Sequence, residues 1–154
     1  MKQATRLDGR QRKAALPEEA AFLDLVRTTD LLSRPLVQLL KSEDLSPAQY
    51  NVLRILRGSP DGLTCGEIGN RMITRDPDIT RLLDRMEKRT LISRGRNEKD
   101  RRVVLVLITA EGLDLLDRLD HPVRDMHRSL LGHLGSERLQ ALRQLLDVCR
   151  TGQK

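Results

Sequence analysis

The chain has 154 residues, 38% of them hydrophobic, enough to bury one sizeable core but not two independent ones, so a single domain is expected. Its longest unbroken apolar run, Val103–Ile108, falls far short of the roughly 20 residues of a membrane-crossing helix. The charged N-terminus also lacks the apolar stretch of a secretory signal, so the reading is cytoplasmic with no membrane partner.

The net charge of +6 is uneven: residues 71–102 carry net +5 and residues 1–15 net +4, which leaves −3 for the rest. Two concentrated basic stretches suit a polyanionic partner, although a surface 32% charged shows local imbalance by chance, so motifs must decide. The two cysteines, Cys65 and Cys149, lie far apart without a CxxC-type partner. That usage fits a reducing compartment and argues against a disulfide or metal framework.

Residues 1–15 are polar, basic and without period, and read as a disordered arm. Pro17-Glu18-Glu19 then looks like a helix start, with proline at the first position and acids at the positive end of the dipole. Phe22, Leu25, Val26, Leu32, Leu36, Leu39 and Leu40 recur at helical spacing up to Lys41, with a kink expected at Pro35. Ser46-Pro47 opens a second helix, Ser46 as cap, with Tyr50, Leu53 and Leu56 inside; Gly58–Gly62 ends it. No internal repeat is present, so the fold is built once.

Thr64 followed by Glu67 three residues later is a capping-box pattern for a short helix buried on Ile68 and Met72. A break at residues 73–75 precedes Asp76-Pro77, read as cap and first position of the next helix. On that helix Ile79, Leu82, Leu83 and Met86 form an inner face, and Asp78, Arg81, Asp84, Arg85 and Lys88 an outer stripe of a width that suits a major groove. Two short helices around a tight turn, the second basic outside, read as a helix-turn-helix. Next, Ser93-Arg94-Gly95-Arg96, the polar tip 97–102 and the β-branched run Val103–Ile108 read as a hairpin. An arginine-rich tip in that place is a wing able to enter a neighbouring minor groove.

Four stretches in this order resemble the MarR family of bacterial regulators: Leu45–Tyr50 with Val52-Leu53, Asp76–Leu91, the Asp-x-Arg signature within Asn97–Arg102, and Leu107–Gly112. The resemblance runs from about Leu45 to Leu116. It implies a fold class that is mainly α with a small β-hairpin wing: a winged helix-turn-helix lobe at about 46–109, and a helical dimerisation region at about 17–41 and 110–150, within a single domain over 16–154. It also implies a homodimer on double-stranded DNA with a pseudo-palindromic operator, a pocket between the dimerisation part and the DNA-binding lobe, and release when a small-molecule effector fills it. The chain's own pattern agrees in that Thr109 can cap a helix through Leu113, Leu115, Leu116 and Leu119, and a last helix from Ser136 carries Leu139, Leu142, Leu145 and Leu146. Those apolar faces need a cover, either a second copy or the chain's own first helix.

Within this frame Thr80 and Arg81 are candidates for base edges, and Arg85 and Lys88 for phosphate. The resemblance carries the Asp-x-Arg pair onto Asp100 and Arg102, the carboxylate orienting the guanidinium by a forked hydrogen bond. Arg96, Lys99 and Arg101 add phosphate attraction. Pro77 and Asp78 stand where the family commonly has small hydroxyl residues; Asp78 either favours the helix start, the preferred reading, or accepts from a cytosine amino group. His121, His127 and His133, six apart, share no face as metal ligands would, and no metal or cofactor is expected. Cys65 at a helix start leaves a redox-sensing regulator as an alternative, and a constitutive architectural DNA binder is another. No phosphate loop, nucleophile elbow or carboxylate pair anchors an enzyme.

Overall fold

The structure, a computed structural model, describes residues 16–97 and 100–152. The proposed basic arm 1–15 and Lys99 lie outside the described residues. The chain divides into two compact units, residues 1–33 and 34–154, with helix α1, Pro17–Lys41, beginning in the first and ending in the second. In the first unit α1 starts as its signals demand, on Pro17 with Glu18 and Glu19 in the opening turn. Its apolar residues there stay open, Phe22 at 64% and Val26 at 52% exposure.

In the second unit the helix runs on through Pro35, and its last turns put Leu40 into the core with Leu36 and Leu39 against it. Helix α2, Pro47–Arg57, is closed by a full capping box: Gln49 N–H donates to Ser46 Oγ at 3.2 Å and Ser46 N–H to Gln49 Oε1 at 3.0 Å. Tyr50, Leu53 and Leu56 are buried as the spacing requires, and Val52 with them. Helix α3, Cys65–Arg71, has the expected Thr64/Glu67 box, and helix α4, Ile79–Lys88, turns Leu82, Leu83 and Met86 inward. Each of these fully buried side chains contributes about 2 kcal/mol by leaving water.

Strands β1, Ile92–Arg96, and β2, Val104–Ile108, pair antiparallel from Ile92 opposite Ile108 to Arg96 opposite Val104. Leu63 adds a third edge through two backbone bonds with Val106, of 3.0 and 2.8 Å. Gly62 permits this approach: its φ is +81°, and a Cβ there would lie 3.0 Å from the Val106 carbonyl oxygen. Helix α5, Ala110–Leu131, is capped by Thr109 and buries Leu115, Leu116, Leu119 and Val123. Leu113, expected on that face, is 37% exposed. Because 3.6 residues make a turn, the face through Leu115, Leu116 and Leu119 continues to Val123 and leaves Leu113 to one side. A 3-10 turn, Gly132–Leu134, leads to helix α6, Gly135–Thr151. Helix α6 buries no residue, and Leu145 and Val148 are 65% and 66% exposed.

Candidate nucleic-acid interface

Helices α3 and α4 meet across residues 72–78, and side chains fix this turn. Asn51 Oδ1 on α2 accepts the Ile73 N–H at 2.8 Å, and Arg71 donates to Ser59 Oγ at 3.0 Å. The start of α4 corrects the sequence reading, which took Asp76 as cap and Pro77 as first position. Asp76 Oδ1 instead accepts the Asp78 N–H at 2.9 Å, and Asp78 is the N-cap, accepting the Arg81 N–H at 3.3 Å. Asp76 spends its carboxylate on a turn two residues long, so the helix begins at Ile79. Asp78 therefore serves the helix start, and its Oδ2 also lies 3.2 Å from Arg81 Nε.

Opposite the buried face, Thr80, Arg81, Arg85 and Lys88 are all exposed, the Arg81 side chain at 81%. Asp84, read as part of this outer stripe, is engaged sideways. Arg94 on β1 reaches it at 2.7 Å and Glu87 at 2.9 Å with a single guanidinium nitrogen. Arg94 escaped the sequence reading because both partners lie on another element; the trace it leaves there is two acids three apart on a basic helix.

At the hairpin tip Asn97 N–H donates to the Val103 carbonyl at 2.9 Å and Val103 N–H to the Asp100 carbonyl at 3.0 Å. Asp100 Oδ1 accepts the backbone N–H of Arg102 at 3.0 Å. The expected fork onto the guanidinium is thus replaced by a bond to the same residue's main chain, since a carboxylate two residues upstream reaches that N–H through a compact Asx turn. Arg96, Arg101 and Arg102 are exposed, so the wing presents three described cations in addition to those of α4.

The far end of α4 is held as firmly. Thr90 N–H donates to the Glu87 carbonyl at 2.8 Å and Leu91 N–H to the Met86 carbonyl at 3.1 Å, a Schellman closure with Thr90 at φ 58° where glycine is favoured. Thr109 Oγ donates to the Thr90 carbonyl at 2.5 Å. Arg89 donates to the main-chain carbonyls of Asp44 and Glu43, and Arg118 on α5 meets the Glu43 carboxylate at 3.1 Å. Arg57 on α2 forks onto Asp120 of α5 at 2.7 and 2.9 Å. That hydrogen bond holds the Asp120 carboxyl below, and the Arg57 guanidinium above, its ordinary pKa.

Beside α4 lies an open cleft of about 690 Å³, lined by the apolar Val37, Leu45 and Pro47, by Lys41, Arg85, Lys88 and Arg89, and by the acid Asp44. Cys65 is half-buried at the first position of α3, and Cys149 is exposed on α6. His121 Nδ1 lies 3.0 Å from Asp125, while His127 and His133 are exposed. Among the described residues no cluster of three His, Cys, Asp or Glu could hold a metal, and no helix is long and apolar enough to cross a membrane.

The family model described as the MarR family matches residues 45–104. The transcriptional regulator PecS of Dickeya dadantii is 30% identical over 124 residues, 79% of this chain and 75% of its own length. The homoprotocatechuate degradative operon repressor of Escherichia coli is 29% identical over 114 residues, 74% of each chain. Among solved structures, a mutant MarR of E. coli complexed with operator DNA superposes with a TM-score of 0.75 at 26% identity, covering 83% of this chain and 91% of its own. The PcaV regulator of Streptomyces coelicolor, in complex with its natural ligand, gives a TM-score of 0.70 at 26% identity over 92% and 96% of the two chains.

Proposed function

Since the chain belongs to the MarR family, we propose that it is a homodimeric transcriptional repressor that grips double-stranded operator DNA with α4 and the wing and lets go when a small molecule binds. The observation that carries this reading is that Arg81, Arg85 and Lys88 on α4 and Arg96, Arg101 and Arg102 on the hairpin are all exposed. Such a surface offers charge-assisted donors to base edges in one groove and to phosphates beside the next. In it Thr80 and Arg81 read bases, Arg85 and Lys88 meet phosphate, and Asp100 shapes the tip that carries Arg102. Lys99 adds charge to the same grip.

Dimerisation is supported by the open apolar residues of α1 and α6. The winged lobe, about 46–109, and the flanking helices, about 17–41 and 110–150, then form one domain whose flanks join two copies. A two-fold dimer reads two half-sites about 10 base pairs apart between centres, a pseudo-palindrome. The cleft beside α4 is our candidate effector seat, because Arg85 and Lys88 line it and lie on the proposed DNA-facing helix alike. The protein works in the cytoplasm, as a regulator and not as an enzyme.

Selection of bound duplexes from a random library, with light scattering on the free protein, tests the reading. A pseudo-palindromic site and a particle of twice 17.6 kDa are expected. A particle of 17.6 kDa with DNA binding intact would remove the dimer. A footprint without sequence preference, unmoved by any compound in a ligand screen, would instead make the protein an architectural binder.

A further inference from the structure

We propose that Arg94 is the positioning residue that sets the wing against the recognition helix, and that it does so by holding Asp84 and Glu87 away from DNA; this rests on the DNA-binding reading above. Arg94 is the third residue of β1, opposite Val106, and its side chain is only 28% exposed. It cannot both fill this place and reach a phosphate. Its guanidinium nitrogen lies 2.7 Å from Asp84 Oδ1 and 2.9 Å from Glu87 Oε2, carboxylates three residues apart on one side of α4. The same helix carries Arg81, Arg85 and Lys88 outward.

Two consequences follow. Without Arg94 the acids would repel each other and remain as two uncompensated negative charges on the helix that approaches phosphate. The wing would also lose its charged tie to α4, leaving the Thr109 bonds to the Leu91 and Thr90 carbonyls and the apolar packing of Ile92 and Val106 to hold it there. Because one element enters the major groove and the other the adjacent minor groove, the angle between them decides whether both can be seated at once. Arg94 thus governs the grip without touching the nucleic acid.

The test uses the full-length protein and a duplex recovered by wild-type selection. Arg94→Ala should weaken binding on the order of tenfold, more than an exposed ion pair would because three charged groups are disturbed together. Arg94→Lys, which keeps a cation able to meet one of the two acids, should recover part of it. In an Asp84→Asn/Glu87→Gln background Arg94→Ala should change affinity far less, since its partners no longer carry charge. Hydroxyl-radical protection of the minor groove should fade in Arg94→Ala while dimethyl sulfate protection of guanines in the major groove persists. Thermal unfolding of every variant separates loss of fold from loss of geometry.

An equal loss in both backgrounds, with the salt slope lowered by about two per dimer, would show that Arg94 meets phosphate itself and overturn the proposal. Fading of the major-groove protection while that of the minor groove persists, or a fall in melting temperature with affinity unchanged, would overturn it as well. If the wild type selects no duplex, the regulator reading fails and this one with it.

Discussion

Asp100 allows charge and hydrogen bonding at the wing tip to be separated by two substitutions. Its Oδ1 accepts the Arg102 N–H at 3.0 Å, a bond an asparagine amide oxygen can also accept and an alanine cannot. Such a bond contributes about 1 kcal/mol net. For a phosphate taken to lie roughly 8 Å from that carboxylate, removing the charge relieves about 0.5 kcal/mol of repulsion in water. Asp100→Asn keeps the bond and loses the repulsion, so affinity should rise about twofold per subunit, or about fivefold per dimer. Asp100→Ala loses both, a net penalty of about 0.5 kcal/mol per subunit, and should bind about fivefold more weakly per dimer. Fluorescence anisotropy on the selected duplex would read the two displacements in opposite directions. If Asp100→Asn binds as weakly as Asp100→Ala, the negative charge itself is needed, and a carboxylate fork onto the Arg102 guanidinium replaces the backbone role drawn here.

Three further outcomes follow. Arg81→Ala should weaken the selected site by about 1–3 kcal/mol and relax preference at one position per half-site, measured by competition against random DNA; equal losses on both would assign Arg81 to phosphate. Thr90→Gly should raise stability by about 1 kcal/mol, visible as a higher melting temperature, because a β-branched residue now occupies the left-handed position at φ 58°. Asp120 has its pKa depressed by the Arg57 hydrogen bond, so the stability from this pair is fully present above the ordinary carboxylate pKa and is lost as pH falls through the lowered one. Acid titration of unfolding should therefore show a shallower low-pH fall for Asp120→Asn, and an unchanged slope would remove Asp120 from the acid response.

Much of the fold was legible because its signals are local. Ser46-Pro47 and the Thr64/Glu67 pair each carry a cap and its complement within four residues, and both helices begin where those residues say. The inner faces of α2 and α4 follow from a 3.6-residue period alone. Asp76-Pro77-Asp78 misled because it offers two acids able to cap; which one does is settled by Asp76 turning back onto Asp78, a competition that spacing does not reveal. Of the interface, the outward cations of α4 and the hairpin were readable as a basic stripe. Arg94 was not, since its meaning depends on a strand lying beside a helix seven residues earlier in the chain. The Asp100 bond was missed by one atom type: sequence names a carboxylate near an arginine but not whether the guanidinium or the backbone amide donates to it. Thr90 hid its closure because glycine is the usual sign of it.

The open apolar residues of α6, Leu145 and Val148, and those of α1 around Phe22 share no side chain with the set proposed to hold DNA. On the proposed reading, partner choice and target choice are written in different parts of the chain and can drift independently. Two duplicated copies that kept the pairing face but changed residues 78–88 would still associate, and the mixed pair would read an asymmetric site that neither parent prefers. A cell could then gain a new regulatory address from mutations in one helix alone.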